Sequence, residues 1–467
     1  MTFPSLPAGV LDDLRNTVGA SNVRTGDAVG ALNPGWNAHN LDAGVVVSPG
    51  STAEVAEVVR ISLRHGIAIV PQAGRTGLVG GSVSRPGEVV LSLLRMNRIE
   101  TLDPAERVAL VEAGCTLEAL QQAAAEIQLE PGIDLAARGS ATIGGMVSTN
   151  AGGVMAFRNG VMRHRVLGLE AVLPDGTVYS DLTRVVKNSA GYDLKHLFIG
   201  AEGTLGIVTR VVVKLDPLPQ ATATALFGLP SVAATLEVIR RALDAEAGHL
   251  RAAEALWQNF MRLNADALRW SEPGLALDQP VYLLLGLGGA REESLRLAFE
   301  RIFEETLERY PGSTGIVASS RRQEMALWRL REDTEIVYRV YPNAPSYDVS
   351  VPLSRIEAYA ASVQAGLAAM DPTLQPFMFG HLADGNLHII LNRPGPIAPE
   401  LADRVEDVLY RDLRAMGGSF SAEHGVGSKR IGAMVATTDA GKLSTMAQVK
   451  RLLDPSLLMN PGKIFER

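Results

Sequence analysis

The sequence predicts an α+β protein of two domains with a C-terminal return segment, on three observations. Between Gly44 and Leu215, apolar runs of strand length alternate with loops unusually rich in glycine and small residues. Asp216-Pro217-Leu218-Pro219-Gln220 then interrupts regular structure, because each proline fixes φ and removes a backbone donor. From Ala221 to about Gly425, longer helical patterns alternate with strands, as in a sheet covered by helices on one side. The boundaries that follow are 1–219, 220–425 and 426–467.

The composition sets limits on function. With 46% hydrophobic and 20% charged residues the chain is globular rather than disordered, and at 467 residues it exceeds one ordinary core. A net charge of −7 and the absence of any Lys/Arg block exclude a general nucleic-acid surface, leaving a small-molecule partner. The single cysteine, Cys115, excludes an intramolecular disulfide framework and any Cys-rich zinc module. It reads as a packed apolar residue and is compatible with a cytoplasmic setting. The start, MTFPSLPAGVLDDLRN, has neither the basic region nor the apolar run of a secretory signal. No run approaches the roughly 20 apolar residues of a membrane span.

Taken in order, Val10–Val18 is a short amphipathic helix, followed by a polar segment with Trp36 and His39. Gly44–Ser48 is a strand, and Ser51 or Thr52 caps a helix over Ala53–Arg64 that Gly66 closes. The strand Ile67–Pro71 ends in Gln72-Ala73-Gly74-Arg75-Thr76-Gly77-Leu78-Val79-Gly80-Gly81-Ser82. Successive N–H groups in such a loop make a nest for phosphate oxygens, although a surface turn has a similar composition. The loop lacks the Gly-Lys-Ser/Thr ending of a P-loop and the glycine spacing of the nicotinamide fingerprint.

Strands Val89–Leu93 and Ala109–Glu112 and a helix Leu117–Ile127 precede a second unusual stretch. It runs through Pro131-Gly132-Ile133-Asp134 and Gly139-Ser140-Ala141-Thr142-Ile143-Gly144-Gly145-Met146-Val147-Ser148-Thr149-Asn150-Ala151-Gly152-Gly153. So many small polar residues suit the wall of an extended ligand. Val166–Leu173 and Thr177–Ser180 flank a Pro-Asp-Gly turn as a hairpin. The third cluster, Gly200-Ala201-Glu202-Gly203-Thr204-Leu205-Gly206, leads into the strand Ile207–Leu215.

In the second domain, strands are expected at Ala221–Leu229, Val281–Leu287 and Ser346–Val351. Helices are expected after Ser231 and over Arg291–Arg309, Gln323–Val337, Ser354–Met370 and Glu400–Met416, with a last one over Met446–Leu453. In HLADGNLH, Asp384-Gly385 is a favoured two-residue hairpin turn, which would set His381 directly opposite His388. Opposed Cβ atoms lie roughly 4.5–5.5 Å apart, so the two imidazoles would share a metal ion. Glu423 is the candidate third ligand. The neighbouring His424 would serve as a base if Gly425 and Gly427 let the backbone depart from a regular strand. A lone histidine on an apolar strand is ordinarily a core residue, but three of only 8 histidines fall in these two glycine-rich segments.

Five ordered motifs carry a resemblance. GRTGLVGGS, GSATIGGMVSTNAGG and IGAEGTLGIVT resemble the flavin domain of the vanillyl-alcohol-oxidase or p-cresol-methylhydroxylase (PCMH) type. HLADGNLH and EHGVGSKR, with a closing LDPSLLMNPGK, are similar to the branch containing D-2-hydroxyglutarate dehydrogenase, FAD-dependent D-lactate dehydrogenase and a glycolate oxidase subunit. The resemblance implies a two-subdomain PCMH-type FAD-binding domain, a ferredoxin-like substrate domain, and a C-terminal segment completing the FAD domain. It also implies that the Gln72–Ser82 loop holds the pyrophosphate. Pro131, Ser140, Thr142, Gly144, Gly145, Ser148, Asn150, Gly153, Glu202, Gly203, Ile207 and Asn460 match flavin contacts. No histidine occupies the loop position used for covalent attachment in relatives, so FAD is expected to be noncovalent.

The mechanism implied is oxidation of a D-2-hydroxy acid to the 2-oxo acid. A divalent metal, with Zn²⁺ suited and Mn²⁺ or Fe²⁺ open, would acidify the hydroxyl. His424 would take its proton while a hydride passes to flavin N5. Arg331 matches the family arginine for the substrate carboxylate, and Ser346, Tyr347 and Asn386 are further substrate-side candidates. In the hydroxyglutarate enzymes a lysine commonly stands at the position of Ser346. A threonine commonly stands where this chain has Glu335, with Thr334 one residue early. These departures keep D-lactate or an aromatic hydroxy acid open beside D-2-hydroxyglutarate, with Arg339 and Arg322 as alternative cations. Also open are an oxidase, a noncatalytic flavin-binding role in a larger complex, a homodimer, and an electron-transfer flavoprotein, quinone or cytochrome as acceptor.

Overall fold

The structure is a computed structural model that describes residues 6–273 and 275–466, so the first five residues of the stretch read for a signal lie outside it. It divides into two compact units, 1–153 with 159–218 and 423–467, and 154–158 with 219–422.

Besides a two-stranded ladder of Asp216–Pro217 with Leu129–Glu130, the first unit holds two larger sheets, as expected for a PCMH-type fold. In the smaller, Val45–Val47 pairs antiparallel with Val23–Thr25 and parallel with Val89–Ser92, which pairs parallel with Ile69–Gln72. The helix Thr52–His65 starts where the Ser51 side chain accepts from Glu54 N–H, and ends at left-handed Gly66. Its Val55, Val58 and Val59 fill one core with Val47, Ile69 and Leu91. The larger sheet is antiparallel, ordered Ile99–Asp103, Val108–Glu112, Ile207–Lys214, Val166–Val172, Val178–Asp181. Cys115 is packed in the core beneath it. The C-terminal tail returns to the small sheet, where Asn460 N–H donates to Ile69 O and Met459 bridges Ile69.

The second unit is one seven-stranded antiparallel sheet, ordered Thr314–Val317, Ala221–Leu229, Val281–Gly289, Gly248–Trp257, Pro376–His381, Asn386–Leu391, Ser346–Ser350. Its first four strands, with helices Val232–Leu243 and Glu292–Arg309, form the ferredoxin-like core. Helices cover both faces rather than the expected one. Strand alternation sends Phe227 toward Phe299 and Phe303 of one layer, while Leu226 packs with Leu327, Leu330 and Phe260 of the other.

Two further expectations change. The helix over Gln323–Val337 is two helices, Arg321–Glu332 and Glu335–Val340, because Asp333 leaves helical geometry. The terminal helix begins earlier, at Ala440, where the Asp439 side chain caps it.

Candidate active site

In the first unit the Gln72–Ser82 loop is built to present backbone. The Gln72 side chain closes its base, donating to Asn40 O at 2.6 Å and Ser82 O at 2.7 Å and accepting from Arg75 Nε at 2.8 Å. Arg75 also donates to Asn33 O, and burial lowers its pKa. Both polar side chains therefore turn into the protein. Among the described residues, nothing accepts the N–H groups of Gly74, Thr76, Gly77 or Gly81. The Leu78 carbonyl accepts from Lys429 Nζ, and Gly80 O from Ser428 Oγ. A Cβ on Gly74 would stand 2.0 Å from Ser140 O, so only glycine lets the two glycine-rich stretches meet.

Beyond Ser140, the Thr142 side chain accepts from Gly145 N–H and starts the short helix Ile143–Thr149. Gly144 packs on Ala113, Ser148 Oγ bonds back to Gly144 O, and Asn150 ends the helix in left-handed geometry. Pro131 lies buried nearby in sequence, its carbonyl taken by Arg165. Ile207 opens the strand that follows Glu202 and Gly203.

Glu202 does something the sequence did not suggest. Its buried carboxylate accepts from Val426 N–H at 2.7 Å and Gly427 N–H at 2.8 Å, fixing the loop that carries Glu423 and His424. Burial pushes its pKa up, opposed by those two bonds and by Lys463 and Arg430. Gly425 has φ +82°, and a Cβ there would lie 2.6 Å from Glu202 Oε1, so this loop is irregular as expected. Glu423 is held in turn by Gly153 N–H, which donates to its Oε1 at 2.5 Å.

In the second unit, His381 and His388 come together, but not through the expected register. Phe379, not His381, stands opposite His388, and the turn spans residues 382–385. Two contacts widen it: Leu382 N–H goes to Ala253 O, and Gly385 O takes Val351 N–H. Gly385 is pressed so close to Val351 that a Cβ would sit 2.0 Å from its carbonyl. A two-residue slip preserves the face, so the imidazoles still meet, with ring centroids 5.4 Å apart and ligand nitrogens within 4.8 Å.

Two carboxylates missed in the sequence organise this face. Glu254, opposite His381 on the strand Gly248–Trp257, contacts His381 Nδ1 at 2.6 Å and pairs with Arg331 Nε at 2.7 Å. Burial alone would raise its pKa, but His381, Arg331 and His388 outweigh that and hold it below the ordinary carboxylate range. Asp348, opposite His388, has Oδ1 3.5 Å from His388 Nδ1 and accepts from Asn386 Nδ2 at 2.7 Å and Ala422 N–H at 3.1 Å. An acidic residue inside an apolar strand was the available signal, since a buried charge requires partners.

The remaining substrate-side candidates separate. Ser346 shares the face of Asp348, and its hydroxyl pairs with Tyr338. Tyr347 points to the opposite face by strand alternation, edge-on to Tyr410, and so is not brought to the histidines. Glu335 is an exposed residue with its side chain 69% accessible and paired with Arg339, so it does not oppose an anion inside the unit. Arg339 and Arg322 are exposed as well and supply no buried cation.

A family model described as "FAD linked oxidases, C-terminal domain" matches residues 218–464, and one described as "FAD binding domain" matches 43–181. The chain belongs to the FAD-linked oxidase family. Among FAD-linked oxidases, it is 38% identical to a D-2-hydroxyglutarate dehydrogenase of Xanthomonas citri pv. viticola, covering 90% of this chain and 89% of that protein. The mitochondrial D-2-hydroxyglutarate dehydrogenase of Bos taurus is 36% identical over 90% of this chain and 76% of its own. That of Stutzerimonas stutzeri is 32% identical over the whole of both. Solved structures of p-cresol methylhydroxylase with substrate bound and of alkyldihydroxyacetonephosphate synthase share the fold. Each has a TM-score of 0.74, at 18% and 17% identity, covering 100% and 99% of this chain and 99% and 87% of theirs.

As an FAD-linked oxidase the chain requires a site for FAD, and the first unit fits one. The N–H groups of the Gln72–Ser82 loop are the donors a pyrophosphate needs. Asn460 donates to Gly81 O and Glu202 O, while its buried Oδ1 has no partner among the described residues, an acceptor a bound ligand would satisfy. In the second unit the buried Asn386 Oδ1 is likewise without a partner, on the face that carries both histidines. No helix among the described residues is long and apolar enough to cross a membrane.

Proposed function

We propose that this FAD-linked oxidoreductase oxidises D-2-hydroxyglutarate to the 2-oxo acid, with a divalent metal, Zn²⁺ by ligand type, on His381, His388 and Glu423. The observation that carries the reading is the buried Glu254, Arg331, His381, His388 and Asp348 cluster. Two imidazoles, each facing a carboxylate, together with a guanidinium, suit a metal and an anionic substrate. Glu423 follows directly on Ala422, whose N–H is anchored on Asp348.

Bound FAD supplies the two-electron acceptor for the α-hydride. A metal held by His381, His388 and Glu423 would supply Lewis acidity toward the substrate hydroxyl. Arg331, ion-paired with Glu254 through Nε, offers its terminal N–H groups to the substrate carboxylate. His424 accepts the hydroxyl proton. Noncovalent FAD, an external electron acceptor and a cytoplasmic location belong to the same reading; the word mitochondrial in relatives' names describes those proteins.

The lack of a cation at Ser346 favours a second substrate class, monocarboxylic D-2-hydroxy acids such as D-lactate or D-mandelate. Steady-state kcat/KM for the three acids with an artificial acceptor decides between them. The first reading expects D-2-hydroxyglutarate to lead, and a lead by D-lactate or D-mandelate selects the second. In the second case Ser346→Lys shifts the ratio toward the dicarboxylate. Oxidation of none of the three contradicts both.

A further inference from the structure

We propose that Glu254 is the positioning residue that couples the metal ligand His381 to the acid anchor Arg331, so that metal and substrate carboxylate bind cooperatively. The inference rests on the metal reading above. Glu254 is wholly buried in the fourth strand of the sheet, yet it is charged and engages two groups at once. Oε1 lies 2.6 Å from His381 Nδ1 and Oε2 lies 2.7 Å from Arg331 Nε.

The chemistry of each end is separate. A carboxylate 2.6 Å from Nδ1 favours the tautomer that leaves Nε2 of His381 free to ligate and fixes the ring's orientation. At the other end, Arg331 Nε is ion-paired with Glu254 Oε2 and the guanidinium carbon sits 4.8 Å over the Phe379 ring centroid, so the cation is held between the carboxylate and the aromatic face. Phe379 stands opposite His388, its ring centroid 5.2 Å from the imidazole, so the same aromatic side chain backs the arginine and the second histidine. Moving Glu254 disturbs both ends together, which is the condition for linkage between two binding events. A plain structural ion pair would stabilise the fold without making either affinity depend on the other ligand.

The test uses the FAD-loaded protein freed of metal by chelation and titrated with Zn²⁺ against a competing indicator, with and without 2-oxoglutarate. In the wild type, 2-oxoglutarate is expected to tighten Zn²⁺ by roughly 5-fold or more, within the usual range of coupling between sites. Glu254→Gln is expected to weaken Zn²⁺ by roughly 10- to 100-fold and to reduce the effect of 2-oxoglutarate to what its direct contact with the metal supplies, with FAD content unchanged. Glu254→Asp, which keeps the charge and withdraws it by one methylene, is expected to fall between the two. It carries the test if Glu254→Gln fails to fold. Zn²⁺ affinity within twofold of wild type in a folded variant, or unchanged coupling, overturns the role of Glu254 and leaves the metal reading standing. A wild type that takes up no Zn²⁺, Mn²⁺ or Fe²⁺ overturns the metal reading itself, and the role of Glu254 with it.

Discussion

In the glycine-rich Gln72–Ser82 loop the polar side chains of Gln72 and Arg75 turn inward and the backbone faces outward, whereas on the second unit's sheet charged side chains gather on one face. Gln72 and Arg75 spend their polar atoms on Asn40, Ser82 and Asn33, leaving N–H groups as the recognition surface. Glu254, Asp348, His381, His388 and Arg331 instead place charged atoms on one face of a sheet. The contrast matches the ligands proposed for each. A pyrophosphate is recognised by any well-placed donors, but a metal and a single hydroxy acid require specific atoms with specific protonation.

The comparison can be broken in four ways, from the largest effect down. His424→Ala should keep FAD and metal but lose about 10²- to 10⁴-fold in kcat; a normal kcat removes it as the base. Gly74→Ala drives a Cβ to 2.0 Å from the Ser140 carbonyl, so the purified variant should be largely free of flavin. Overpacking costs about 1–3 kcal/mol, and full yellow colour in that variant would refute a backbone-built loop.

Glu202→Gln loses the charge on two backbone bonds and should lower kcat by loosening the His424 loop while FAD stays bound. The expected stability loss is about 1–3 kcal/mol by denaturant titration, and an unchanged kcat would show that the clamp is idle. The smallest effect is at exposed Asp371, which Thr373 and then Arg393 hold down to a pKa of about 2. Its folded pKa is depressed, so its contribution is present above the ordinary carboxylate pKa and is lost as pH falls toward about 2. Carboxyl NMR titration should find that midpoint; one near about 3.9 would contradict it.

The legibility of the sequence followed the same division. Glycine-rich loops were visible because close approach leaves no alternative residue. The face of the His381–His388 pair was legible because strand period is two, although the register was out by two residues. The turn width depends on Ala253 and Val351, which no local motif announces. Glu254 and Asp348 were missed because each pairs with residues distant in the chain. The clamp by Glu202 was hidden for the same reason, since Val426 lies 224 residues away. The placing of Glu335 is not legible locally, because the helix breaks at Asp333 and leaves that side chain on the surface.

The most direct measurement is the anaerobic visible spectrum of the purified protein before and after D-2-hydroxyglutarate, D-lactate or D-mandelate, with and without prior chelation. A flavin spectrum that one D-acid bleaches, and that chelation protects from bleaching, is the predicted result. A yellow protein bleached by none of them, or bleached equally well after complete removal of metal, would contradict the account.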